Sequence, residues 1–188
     1  EYVGARENAA ITFSDNTISG RCLFVIDGKN ADAYILANKA GELYLIDAKD
    51  KGISVTELVT VDKTRPSIEL NLDKVGAQLL PGSEKNHEVI NKVLDAGRLI
   101  LSADSVGASQ IMLDKAVAYS LERKQFGRVI GSFQAVKHMC AEMAAELEPC
   151  HSMIWHAAHC YDHDPSQARL LACHTKAHVS EVAKQISK

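Results

Sequence analysis

Long apolar runs are missing from this 188-residue chain. No stretch reaches the length a bilayer-spanning helix needs, and no apolar core behind a basic flank suggests a signal peptide. A block of basic residues is also missing, so no footprint for neutralising nucleic-acid phosphates is expected. Paired cysteines are not indicated either. The count is five, an odd number, and four fall in helical-looking sequence of the second half, which points to free thiols in a reducing compartment. There is no Asn-x-Ser/Thr acceptor, no Gly-x-Ser-x-Gly, no phosphate-binding Gly-x-x-x-x-Gly-Lys-Ser/Thr, no internal repeat and no low-complexity segment. What remains is 46% hydrophobic with a formal net charge of −3, which excludes a disordered chain and suffices for one domain or two small ones.

The two halves differ in character near Pro81-Gly82. Up to Ser83 there are 7 of the 11 glycines and no histidine, while all 8 histidines follow. The first half reads as short strands between turns: Ala10–Phe13, Thr17–Ser19, Arg21–Ile26, Ala33–Asn38, Leu43–Asp47, Ile53–Val61 and Ser67–Leu72, with Asp27-Gly28 as a turn signal. The alternation of Ile68, Leu70 and Leu72 is that of a half-buried strand. The second half reads as helix. From about His87 to Leu121 the apolar stripe Val89, Val93, Leu94, Leu101, Val106, Met112, Leu113 and Val117 predicts one long packed helix. A second helix is expected from about Phe133 to Tyr161, kinked at Pro149, and a third opens at Asp164-Pro165. The expected fold is therefore α+β and multidomain. A small antiparallel β barrel or sandwich spans 1–82, and an incomplete up-down helical bundle spans 83–188.

The most informative stretch is Leu121-Glu122-Arg123-Lys124-Gln125-Phe126-Gly127, followed by Arg128, Ile130, Phe133-Gln134 and His138. It places three cations at a helix end, then a tight glycine turn, then a new helix start. Arg123, Lys124 and Arg128 could hold an anion there, although cations in a last turn are also explained by the helix dipole alone.

The run Ala118 to His138 resembles the flavin-binding stretch of the acyl-CoA dehydrogenase family. Its context is similar too, with a long preceding helix carrying Leu-Ile-Leu-Ser-Ala and a following helix carrying Ala141-Glu142-Met143. Gly20 to Gly28 resembles the strand of that family's middle domain, and Thr64-Arg65 its Thr-Arg pair before a strand. The resemblance implies an N-terminal helical domain, a β middle domain and a C-terminal four-helix bundle, of which this chain carries the second and part of the third. It implies an FAD enzyme that oxidises an acyl-CoA between its α and β carbons, a base taking the α proton while hydride leaves the β carbon for flavin N5. By position, Arg123 would contact the FAD pyrophosphate from a neighbouring subunit. Gln125, Phe126, Ile130, Phe133, Gln134 and Val136 would line the adenosine end, Phe24 would pack on the flavin, and Asp95 and Arg98 would touch the acyl-CoA. The implied partners are the acyl-CoA, an electron-transfer flavoprotein as acceptor, and further copies of the chain in a dimer or tetramer. The implied compartment is the bacterial cytoplasm or the mitochondrial matrix.

The sequence departs from that pattern at three points. Ile26 stands where the family has a hydroxyl donor to the flavin ring. Gly97 stands where a branched-chain subset carries its catalytic Glu on the long helix. The more usual Glu would lie beyond Lys188. No catalytic base is therefore named, and the chain is expected to be a portion of a protein roughly twice as long, by the usual domain length. Two alternatives stay open: a non-catalytic FAD- or acyl-CoA-binding partner subunit, and an acyl-CoA oxidase or flavin monooxygenase on the same fold.

Histidines and cysteines crowd the end of the chain. His156, His159, Cys160 and His163 share one helix face, and His174 and His178 repeat the i, i+4 spacing. Neither His-Glu-x-x-His nor Cys-x-x-Cys is present, so surface histidines and buried apolar thiols are expected, and no metal.

Overall fold

The structure, a computed structural model, describes residues 11–14, 16–84 and 87–188. Contacts divide the chain into a β unit up to Ile90 and a helical unit from Asn91, each with its own core.

The β unit holds β1 (Ile11–Ser14), β2 (Thr17–Ile26), β3 (Ala33–Ala37), β4 (Leu43–Asp47), β5 (Ile53–Leu58), β6 (Ser67–Gly76) and β7 (Gln78–Leu79). Two antiparallel sheets form, in the orders β1-β2-β6-β5 and β3-β4-β7, so the unit is a sandwich. Ile68, Leu70 and Leu72 point inward as the alternation predicts, and they meet Ile18, Tyr34, Leu36, Ile46 and Val75 in one cluster fed by both sheets. Tyr34 reaches the core because its hydroxyl donates to the carbonyl of Gly28 at 2.8 Å.

The strand expectations need adjustment at several points, and the Ala33 strand stops at Ala37 rather than Asn38. The first strand was expected from Ala10, a residue outside those described, and is seen from Ile11. Thr17–Ser19 and Arg21–Ile26 are a single strand, because the irregularity at Gly20 is absorbed as a bulge against β6, where Lys74 has φ 50°. The Ile53 strand stops at Leu58, leaving Val59 and Val61 exposed. There the chain turns on Asp62, whose carboxylate accepts from the Thr64 amide at 2.9 Å. β6, finally, runs beyond Leu72 to Gly76.

The helical unit comprises α1 (His87–Glu122, entering the unit at Asn91), α2 (Gln134–His163) and α3 (Pro165–Ile186). Between α1 and α2 lies a hairpin of β8 (Lys124–Gln125) and β9 (Arg128–Val129). Leu99 packs with Ala157 and Ala172, whereas Val106 and Leu113 pack with Leu147, Cys150, Val179 and Val182. Thus α1 and α3 run the same way with α2 antiparallel to both, the up-down arrangement expected.

The expected stripe on α1 coincides with its buried seam only at Val106 and Leu113. Val93 and Leu101 are exposed, while Asp95, Leu99, Ser102, Val106, Ser109 and Leu113 are buried. Those positions alternate by four and three, a 3.5-residue repeat, and α3 does the same at Ala168, Ala172, Thr175, Val179, Val182 and Ile186. Serine can occupy a seam because its hydroxyl turns back to its own helix. Ser102 donates to the Arg98 carbonyl at 2.7 Å and Ser109 to the Ser105 carbonyl at 2.8 Å. Pro149, where a kink was expected, lies within a continuous helical run of α2.

Candidate functional site

The cation-rich segment forms the turn between α1 and α2. Arg123 is the first residue beyond α1, and its carbonyl accepts from the Ile130 amide at 2.8 Å, closing the base of the β8–β9 hairpin. Gln125 pairs with Arg128 across a two-residue turn of Phe126 and Gly127, with φ 52° and 77°. Two positive φ values in sequence are those of a type I′ turn, which favours Asn-Gly. Here the first position carries an aromatic ring, 90% exposed and held in a conformation that bulky residues rarely adopt.

The turn also fixes cations and rings together. The Arg128 guanidinium lies 4.1 Å from the Phe133 ring centroid, and Phe126 meets Phe133 edge-on at 6.1 Å. Arg123, Lys124 and Arg128 are exposed and form no ion pair among the described residues. Just beyond, α2 begins at Gln134 with no side-chain cap, so its first amides add positive potential. Ile130, Phe133 and Val136 are half-buried, and Gln134 is exposed. Gly131 lets the chain return close to α1, since a Cβ there would stand 3.0 Å from both Ser120 oxygens.

In the β unit, Phe24 sits on β2 at a second bulge, between the pairs Cys22–Leu70 and Val25–Ile68. Its φ is 56° and its ring is 57% exposed. A bulge re-aims a side chain, and glycine is the usual occupant of a left-handed bulge position. Ile26, two residues on, is exposed as well.

Asp95 and Arg98 lie one turn apart on α1 and pair with each other, Asp95 being 5% exposed. Gly97 faces open space: a Cβ there would meet nothing within 4 Å. The path from Asp95 to the end of α1 at Glu122 is about 40 Å at 1.5 Å per residue. The structure therefore brings Arg123, Gln125, Phe126, Ile130, Phe133, Gln134 and Val136 into one corner, and leaves Asp95 and Arg98 far along the same helix.

Residues 87–188 match the family described as "Acyl-CoA dehydrogenase, C-terminal domain". The chain is 32% identical over 195 residues to a probable acyl-CoA dehydrogenase, YngJ, of Bacillus subtilis, covering 97% of this chain and 48% of that protein. This chain belongs to the acyl-CoA dehydrogenase family. A second relative is CarC, a subunit of the caffeyl-CoA reductase-Etf complex of Acetobacterium woodii, 40% identical over 95 residues that cover 50% of this chain and 25% of CarC. The fold matches that of PigA solved with FAD and proline, with a TM-score of 0.86 at 24% identity over 98% of this chain and 53% of PigA. The chain thus spans about half the length of the relatives it matches over most of its own length.

Several features of this acyl-CoA dehydrogenase-family chain were not legible from sequence. Phe126-Gly127 lacks the Asn-Gly signature, so the β8–β9 hairpin reads only as a break between helices. The Arg128–Phe133 stack had a weak signal, a cation five residues before an aromatic. Among the described residues no group of three or more His, Cys, Asp or Glu side chains is placed to hold a metal ion. None of the five cysteines is in a disulfide. Burial, with Glu146 nearby, pushes the Cys150 thiol above its ordinary value, so this sulfur is a packing group.

Proposed function

We propose that this chain is part of an FAD-dependent acyl-CoA dehydrogenase that introduces a double bond between the α and β carbons of an acyl-CoA thioester. The observation that carries this is the α1–α2 corner. Three cations without carboxylate partners, an uncapped helix start and two exposed or half-buried rings suit a ligand that combines a diphosphate with flat heterocycles. FAD is such a ligand, and its chemistry when bound is to accept hydride. Arg123 and Arg128 would grip phosphate oxygens, Phe126 and Phe133 would cover a ring face with Gln125, Ile130, Gln134 and Val136 around them, and Phe24 would present a second exposed ring to the flavin. The roughly 40 Å along α1 between this corner and Asp95 supports a site shared between copies. Asp95 and Arg98 would meet the acyl-CoA of one subunit while Arg123 served its neighbour's FAD, in a dimer or tetramer.

The electron acceptor on this reading is an electron-transfer flavoprotein, a partner class also named for the complex that contains CarC. Of the two expected compartments, the bacterial cytoplasm accords with the bacterial relatives, which lend no support to the mitochondrial matrix. The test is to purify the natural full-length protein, reconstitute it with FAD and add acyl-CoAs. A yellow protein whose flavin absorbance bleaches supports the proposal, and a colourless protein that takes up no FAD ends it.

Ile26 and Gly97 favour one second reading, a partner subunit that binds FAD or acyl-CoA without catalysis. An exposed alkyl side chain stands where a hydroxyl would face the flavin, and the open space at Gly97 holds no carboxylate. Flavin uptake without bleaching selects this reading. Oxygen consumption during turnover would instead mark an oxidase or monooxygenase on the same fold.

A further inference from the structure

Two histidine pairs in the helical unit share the i, i+4 spacing, and the structure separates them. On α2 the rings of His159 and His163 are in contact, with centroids 4.7 Å apart and planes tilted at 48°. Both side chains are exposed, and neither makes a hydrogen bond or ion pair among the described residues. On α3, His174 and His178 show no such ring contact, and His178 is half-buried. His156 is turned elsewhere, with Nδ1 4.0 Å from the Cys160 sulfur.

We infer that His159 and His163 form a two-imidazole chelate for a divalent transition metal. Two imidazoles bound to one ion at the usual metal–nitrogen distance of about 2.05 Å hold their centroids roughly 4.5 Å apart at a right angle and roughly 5.2 Å apart in a tetrahedron. The observed separation of 4.7 Å lies between these values, so the distance between the rings matches that of a chelated pair. An all-nitrogen donor pair selects nickel, copper or zinc and rejects magnesium and calcium, which take oxygen ligands. Two protein ligands leave the remaining coordination positions to water or to a donor from another molecule. This inference departs from the expectation of no metal, which rested on missing three- and four-ligand motifs, and it stands independently of the flavin reading.

The test uses untagged protein in a thiol-free buffer at pH 7.5, titrated with Ni²⁺ by isothermal calorimetry and loaded on immobilised nickel. One site per chain is expected, weakened at least ten-fold by His159→Ala and by His163→Ala, and unchanged by His174→Ala/His178→Ala. His159→Gln and His163→Gln serve as second variants, with circular dichroism reporting helix content, so that loss of binding is separable from loss of α2. Mg²⁺ should give no heat. No Ni²⁺ uptake by the parent protein, uptake that survives His159→Ala/His163→Ala, or uptake lost equally in the α3 double variant would overturn the inference.

Discussion

The β unit fills its core with large side chains, and the helical unit builds much of its seam from small ones. In the sandwich, branched and aromatic side chains from two sheets bury one another, with Ile18, Leu70 and Val75 fully enclosed. In the bundle the seam is built largely from small groups (Ser102, Ser109, Cys150, Ala157, Ala172 and Thr175), while Ile100, Ile111, Leu121, Met139 and Trp155 remain exposed. Small side chains let helices approach closely but bury little apolar area each. The difference teaches that helical apolar content does not report which face is core. Yet the two units share one device: each presents an exposed phenylalanine in the left-handed region, Phe24 in one and Phe126 in the other. Packing does not account for this strain at exposed rings, and the proposed flavin contacts of Phe24 and Phe126 would.

The contrast can be broken most forcefully at its cores. Leu70→Ala should destabilise the β unit by about 2–5 kcal/mol through a cavity that two sheets cannot collapse. Trp155→Ala, at a side chain 78% exposed, should change the stability of the isolated chain by less than about 0.5 kcal/mol. Urea unfolding measures both, and equal effects would erase the distinction. Next in size, Arg123→Gln should weaken FAD binding about 10- to 100-fold, the loss expected for a charge-assisted phosphate contact. Fluorescence titration of the reconstituted protein reads it, and an unchanged affinity would remove Arg123 from the site.

Smaller effects sharpen the comparison. Gly131→Ala should cost about 1–3 kcal/mol, since the new methyl must push against the Ser120 carbonyl, and thermal melting checks this. Phe126→Asn should do the opposite, raising stability by about 0.5–1 kcal/mol as the turn gains a residue suited to positive φ. The same variant should bind FAD less well, and that opposed pair of signs is the signature of functional strain. Least of all, the raised Cys150 thiol makes the helical unit pH-sensitive on the alkaline side. The folded state holds that proton more tightly than the unfolded chain, whose thiol titrates near 9.0. Its contribution is therefore complete below that pH and is lost as pH rises through the folded value, a decline that Cys150→Ala should reduce in denaturation series above pH 9.

The sequence by itself indicated β1 to β6 and the three helices, but neither β7 nor the β8–β9 hairpin of the corner. Alternation at Ile68, Leu70 and Leu72 specified a face of β6, because side chains on a strand have only two directions to take. Asp164-Pro165 marked the start of α3, because proline's fixed φ suits a first turn. The run from Arg123 to His138 carried the family likeness, and Arg123, Phe126 and Phe133 do gather at one turn. Tertiary structure decided the rest. Whether Val93 or Ser102 faces the core depends on how closely three helices approach, and no single helix encodes that distance. Whether Phe24 points inward or outward depends on a bulge whose extra residue is counted only against β6. And of two histidine pairs with identical spacing, His159 and His163 have rings in contact while His174 and His178 show no such contact, because rotamers answer to neighbours as well as to sequence interval.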